Sequence, residues 1–184
     1  RQMCIRDSYS HALQFVTDKS QKGAILDTIG LYYLQLGNFT DALVHFQLSG
    51  EIFEQLNDSL WLGKIYNNIA VAHYWLGNSI DALSHYQNAL SIRVAINDMI
   101  GVGRVLNNIG LVYQEWNLYK DALVWHEQAL ETAYDLNHIG LIAYSYSNIG
   151  QCHEKLKNYD SALESYRTGF NYQVQLDEQN RTNS

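Results

Sequence analysis

The chain repeats itself every forty residues. Ile29-Gly30 returns as Ile69-Ala70, Ile109-Gly110 and Ile149-Gly150, and Asp41-Ala42-Leu43 returns as Asp81-Ala82-Leu83, Asp121-Ala122-Leu123 and Ser161-Ala162-Leu163. Rings recur at Tyr33, His73, Tyr113 and His153, and again at Phe46, Tyr86, His126 and Tyr166. Small residues recur at Ser49, Ala89, Ala129 and Gly169. Four copies align without a gap, and the column Val16, Leu56, Ile96, Leu136, Leu176 carries the register into both flanks. Such a period constrains the fold more than any local signal. Each copy is a supersecondary unit too small to bury its apolar face alone, so neighbours must stack in sequence order.

Each unit reads as two helices. Leu106, Ile109, Gly110 and Tyr113 fall on one helical face, at spacings of three and four. Breaks follow at Gly37-Asn38, Gly77-Asn78, Trp116-Asn117 and Lys157-Asn158. Asn38 and Asn78 stand three residues before Asp41 and Asp81, where an Asn caps a helix and the acid favours its first turn. Asn57-Asp58 and Asn97-Asp98 end the second helices and cap the next ones. The spacing predicts helices near 23–36, 39–56, 63–76, 79–96, 103–116, 119–136, 143–156 and 159–176. The absence of proline lets them run unbroken. The Gly or Ala at 30, 70, 110 and 150 is expected to face the Ala at 42, 82, 122 and 162, letting the two helices of a pair approach closely.

Composition narrows the function. Of 184 residues, 47% are hydrophobic, enough for a core, and 17% are charged. Twelve Lys and Arg against 19 Asp and Glu give a net charge of -7, which argues against nucleic acid or anionic membrane as a partner. No apolar run is long enough to span a bilayer. Two cysteines exclude a disulfide-dense scaffold and a cysteine-based zinc site. Residues 1–8, RQMCIRDS, back-translate to the end of a transposase sequencing adapter, so they read as an assembly scar. On that reading Cys152 is the natural thiol and the natural N-terminus precedes this sequence.

The pattern resembles the tetratricopeptide repeat (TPR) family. The resemblance rests on Gly or Ala at 30, 70, 110 and 150, the aromatics at 33 and 113, Leu-Gly at 36–37 and 76–77, and Ala at 42, 82, 122 and 162. The period is forty rather than the family's usual ~34, and its usual proline is missing. That is similar to the longer-helix variety in kinesin light chain, cell-polarity adaptors and bacterial sensor and regulator arrays. The resemblance implies an all-α fold, a right-handed α-solenoid of stacked helix-turn-helix repeats. The units are the end of a truncated repeat at 9–22, repeats at 23–62, 63–102, 103–142 and 143–178, and a polar tail at 179–184. It also implies a protein- or peptide-binding scaffold in a cytoplasmic setting, with no catalysis and no cofactor. The alternative is a sensory segment of a larger bacterial signalling protein, such as a histidine kinase, nucleotide cyclase or transcription regulator.

In such an array the first helix of each pair lines a concave groove. Counted from Gly23, Gly63, Gly103 and Ala143, the second position holds Ala24, Lys64, Arg104 and Tyr144, and the sixth holds Thr28, Asn68, Asn108 and Asn148. Asn67 and Asn107 adjoin. Asn inside a helix costs roughly 0.6 kcal/mol against Ala, so a row of them wants a reason. The resemblance implies that Asn68, Asn108 and Asn148 clamp the backbone of an extended peptide, with Lys64 and Arg104 selecting an acidic segment. The candidate set is therefore Lys64, Asn67, Asn68, Arg104, Asn107, Asn108 and Asn148. On this reading Asn68 and Asn108 tolerate replacement by Ala. The competing reading is that the Asn residues tie adjacent repeats together. The chaperone-tail carboxylate clamp is not matched, because Asp27 and Leu31, or Asn67 and Val71, stand where its first-repeat Lys and Asn belong.

Other chemistry finds no support. His45, His85 and His126 fall about a repeat apart, too far to share a metal. His73 and His153 replace Tyr in a packing column and read as buried neutral rings. Cys152 has no basic neighbour to lower its pKa. Ser84-His85 and Trp125-His126-Glu127 lack the third member of a triad. The four tryptophans read as packing, with Trp75 at the groove border. Uncapped ends are expected to make the chain prone to end-to-end self-association.

Overall fold

The structure, a computed structural model, describes residues 16–182. Residues 1–8 and the first part of segment 9–22 lie outside the described residues. Eight helices follow in order: α1 (Lys19–Gln35), α2 (Phe39–Leu56), α3 (Ser59–Trp75), α4 (Ser79–Ala95), α5 (Met99–Glu115), α6 (Tyr119–Asp135), α7 (Ile139–Lys155) and α8 (Tyr159–Thr182). The described residues contain no strand. None of their helices is long and apolar enough to cross a membrane. The chain divides into two compact units, Arg1–Ile96 and Asn97–Ser184. Among the described residues each unit holds two antiparallel helix pairs, α1/α2 with α3/α4 and α5/α6 with α7/α8.

The second helices begin where the sequence places them. The first helices begin four residues earlier than expected, at 19, 59, 99 and 139. The reason is capping. Asp18 Oδ1 accepts from the backbone N–H of Ser20 at 2.7 Å, Asp58 from Trp61 at 3.1 Å and Asp98 from Gly101 at 3.0 Å. His138 Nδ1 does the same for Leu141 at 3.1 Å. Each side chain satisfies a donor that a helix start leaves without an intrahelical partner, which moves the start upstream. Asn38 and Asn78 are N-caps in position only, because their side chains make no capping bond. Their carbonyls instead accept from Ala42 at 3.0 Å and Ala82 at 2.9 Å. Between the helices of a pair the backbone turns through left-handed residues, Gly37 at φ 74° and Gly77 at φ 77°. Asn117 and Lys157 take the same turn at φ 60° and 64° without glycine.

The core is a ladder of rings and small residues. Phe46 and Phe53 of α2 are fully buried beside Ile65, Ile69 and Ala72 of α3. Trp61 stacks on Phe53 with 4.7 Å between centroids. The glycines recurring at 30, 110 and 150 serve the ring column rather than the alanine column expected from the sequence. A Cβ on Gly30 would stand 2.5 Å from the Phe46 ring, and one on Gly150 2.7 Å from Tyr166. Gly110 meets the His126 ring in the same way. The alanine column is closed as well, with Ala42, Ala82 and Ala122 fully buried. Replacing Ala122 by Leu should overpack the α5/α6 pair and lower stability by about 1–3 kcal/mol. Thermal melts against an exposed-site control such as Val124→Leu measure it, and a loss no larger than the control's would contradict this packing.

Candidate binding face

In unit 1 the first helices bring Lys64 and Asn68 together around a residue outside the sequence-derived set. Asp27 of α1 is 1% exposed. Its Oδ1 accepts from Asn68 Nδ2 at 2.8 Å, and its Oδ2 pairs with Lys64 Nζ at 2.9 Å. Lys64 and Asn68 lie one turn apart on α3, so both reach the same carboxylate across the repeat boundary. The Lys64 side chain is 45% exposed, and its ammonium also sits over the Trp61 ring at 4.3 Å. Asn67 is half-buried, with its Nδ2 3.5 Å from Asn68 Oδ1. A carboxylate this buried is held by pairing its charge and filling both oxygens.

Unit 2 builds the corresponding link with neutral groups. Asn148 Nδ2 of α7 donates to Asn107 Oδ1 of α5 at 3.2 Å, at the same forty-one-residue offset as Asn68 and Asp27. Asn107 is completely buried, and its Nδ2 donates to Ser145 Oγ at 2.8 Å. His126 Nδ1 lies 2.8 Å from the same Asn107 oxygen. An amide oxygen only accepts, so Nδ1 carries the proton and Nε2 is the bare acceptor. Gln114 Nε2 donates to that Nε2 at 3.0 Å and shares its hydrogens with the Asn148 carbonyl at 3.3 Å and Cys152 Sγ at 3.0 Å. Burial lowers the His126 pKa to about 4, so the ring is neutral at pH 7. Burial raises Cys152 to about 11, against the opposing Gln114 hydrogen bond, which keeps the thiol protonated.

Asn68, Asn107 and Asn148 are therefore buried and joined across repeat boundaries, whereas Arg104 is exposed and Asn108 half-buried. The tolerance to Ala expected for Asn68 does not survive this geometry, because its loss removes a hydrogen bond from a buried carboxylate. Sequence reasoning missed Asp27, Gln114 and Ser145 as members of these links. One signal was present: positions 27, 67, 107 and 147 read Asp, Asn, Asn and Ser, a polar column one residue before the Asn row. His85 meets His73 rather than His45, ring on ring at 5.3 Å. Burial and then the His73 charge lower its pKa, partly opposed by Asp81. Among the described residues no group of three or more His, Cys, Asp or Glu is placed to hold a metal. Trp75 is exposed and stacks on Phe39 at 5.9 Å.

Family models described as tetratricopeptide repeat match residues 21–93 and 61–135, and another matches residues 143–173. No curated protein sequence matches the chain. Among solved structures, it resembles aspartyl phosphate phosphatase F from Bacillus subtilis at 25% identity and a TM-score of 0.84, covering 90% of this chain and 43% of that one. It also resembles a signal transduction ATPase with numerous domains and a tetratricopeptide repeat sensor from Pyrococcus horikoshii, at 25% identity and a TM-score of 0.78, covering 94% of this chain and 27% of that one. A Rap conjugation gene regulator in complex with the Phr* peptide matches at 14% identity and a TM-score of 0.82, covering 92% and 48%. The chain thus spans less than half the length of each of these three proteins. The repeat models cover most of its residues with the helix pairs described above, and the chain belongs to the tetratricopeptide repeat family.

Proposed function

We propose that this chain is a protein- or peptide-binding scaffold whose first helices present the binding face, with no catalysis of its own. The observation that carries the reading is the division of labour along that face. Asn68, Asn107 and Asn148 hold neighbouring repeats in register from beneath. Within unit 1, Lys64 and Asn67 of α3 adjoin Asn68, and within unit 2, Arg104 and Asn108 of α5 adjoin Asn107. Arg104 is the group best suited to select a ligand, because it is exposed while the Lys64 ammonium is engaged by Asp27. Tyr144, exposed one turn before Asn148, adds a flat apolar surface with a polar tip. Together they favour an extended acidic segment, gripped at its backbone by an amide and at its carboxylates by Arg104. The structural likeness to a Rap regulator in complex with a peptide supports a peptide as the ligand class.

Capture from a peptide library tests this. Acidic peptides should be enriched, and their affinity should fall as salt is raised from low to physiological levels. Enrichment of basic or uncharged peptides, or affinity indifferent to salt, would contradict it. The likeness to an ATPase with a tetratricopeptide repeat sensor, of which this chain spans 27%, supports a second reading as the sensory segment of a larger signalling protein. Reading the natural gene on both sides of this sequence decides it. A kinase, cyclase or DNA-binding segment would support that reading, and a lone repeat array would refute it.

A further inference from the structure

A glycine inside α2 opens a cavity at a place that unit 2 fills. Positions 50, 90, 130 and 170 share one column and read Gly, Leu, Leu and Phe. Glycine inside a helix is destabilising, so it wants a reason. Gly30, Gly110 and Gly150 have one, because a ring occupies the place of their missing Cβ. Gly50 does not. Within 4 Å, a Cβ there would meet only Ile65 Cγ2, at an ordinary 3.5 Å. In unit 2 the same place is closed: Leu130 and Tyr146 pack against Ala133, Leu141 and Ile142, and the Tyr134 hydroxyl lies 2.9 Å from that of Tyr146. In unit 1 a cavity of about 320 Å³ opens beside Gly50 instead.

The two main walls differ in chemistry. α2 contributes Gln47, Gly50, Glu51 and Glu54, and α3 contributes Leu62, Ile65, Tyr66 and Ile69. Both sets step by three, one and three, which puts each on one helical face. The α2 wall is polar and carries two carboxylates, and the α3 wall is apolar apart from one phenol. Tyr66 is fixed at both ends: its hydroxyl donates to Glu54 Oε1 at 3.0 Å, and its ring stacks on His85 of α4 at 5.9 Å. His85 also lines the cavity. Burial and then the His73 charge, partly opposed by Asp81, lower its pKa from the ordinary 6.5, so this ring adds no positive charge at pH 7. Among the described residues the Glu51 carboxylate has no partner. The carboxylate pair belongs to unit 1, because Tyr134 stands in unit 2 at the position of Glu54.

We propose that this cavity binds a small organic cation, a primary ammonium carried on an apolar body. The body lies against Leu62, Ile65 and Ile69, and the ammonium meets Glu51 and the free oxygen of Glu54. A volume of about 320 Å³ falls at the lower end of the ~300–1,000 Å³ typical of small-molecule sites. The apolar wall supplies contact area, and the carboxylates orient the charged end. All the lining residues belong to three consecutive helices of unit 1, and none is a member of the candidate peptide-binding set. A cation is also the opposite charge to the acidic peptide proposed for that face, so either reading can fail without the other.

Hexylamine, phenethylamine and tryptamine are the probes, each titrated into the full chain at neutral pH with the amide NMR spectrum as readout. At least one should shift Gly50, Glu51, Tyr66 and Ile69 saturably. The alcohol and the carboxylate built on the same body should bind about tenfold more weakly or worse. Gly50→Leu installs the residue of positions 90 and 130 and should abolish binding, with the thermal melt unchanged or raised because leucine is the better helix former. Glu51→Gln, at an exposed position, leaves the cavity open and should weaken binding about fivefold to tenfold. No saturable shift with any of the three amines, equal affinity for the alcohol, or unchanged binding by Gly50→Leu or Glu51→Gln would overturn the proposal. Shifts caused by Nα-acetyllysine amide and by none of the free amines would assign the cavity to a lysine of a partner protein and overturn it likewise.

Discussion

Lys64→Glu should cost unit 1 about 3 kcal/mol, and Asp27→Asn in the same chain should recover most of it. Asp27 is buried and holds the Lys64 ammonium at 2.9 Å, so the reversal sets a second carboxylate against one that water cannot reach. Half-exposure of Lys64 lets the new glutamate turn partly outward, which keeps the cost below that of two buried like charges. Asn at position 27 removes the repulsion and retains an acceptor for the Asn68 amide. The chain already uses Asn in that column at 67 and 107, so the replacement suits the site. A two-by-two cycle of urea melts at positions 27 and 64 measures the coupling. Additive losses would show that the ion pair contributes nothing. The result also bears on ligand studies, because a charge reversal at Lys64 perturbs folding before it perturbs binding.

Unit 2 should weaken by about 3 kcal/mol as pH falls from 6.5 toward 4, and His126 should account for most of that slope. Burial lowers its pKa from the ordinary 6.5 to about 4. Between those values the unfolded chain binds a proton that the folded chain refuses, so stability falls as pH falls. Below about pH 4 both states are protonated and this contribution flattens. Protonation would set a second N–H against the Gln114 amide and disrupt the links through Asn107, Asn148 and Cys152. His126→Phe places the residue of the equivalent position 46 there. The variant should be less stable at pH 7, with Asn107 losing a donor, yet its stability should vary less between pH 6.5 and 4. Equal slopes in wild type and variant would place the titration outside His126.

How much of this was legible beforehand differs between backbone and site. The forty-residue register, the helix pairs and the breaks at Gly37, Gly77 and Asn117 follow from recurrence and turn chemistry, which act locally. The starts of the first helices were misplaced because the glycines at 23, 63 and 103 set the phase of the repeat. The caps at Asp58 and Asp98 were legible in the sequence, and with Asp18 they set the helix starts upstream of that phase. The Asn row was visible, but its use was not. Asn68 and Asp27 are forty-one residues apart, one more than the period, so a comparison at offset forty never pairs them. Lys64 read as a free cation because its partner lies on another repeat. His126 sat in a column of Phe and Tyr, where ring size is legible and a hydrogen-bonding role requires knowing that Gln114 and Asn107 reach it.

The most direct test of the binding account is a charge reversal at Arg104, followed by selection from one mixed peptide library. Arg104 is exposed, so Arg104→Glu should leave the thermal melt unchanged. Wild type should enrich acidic peptides, and Arg104→Glu should lose them and shift toward basic ones. Identical peptide profiles from the two proteins, at equal stability, would contradict the assignment of ligand selection to this face.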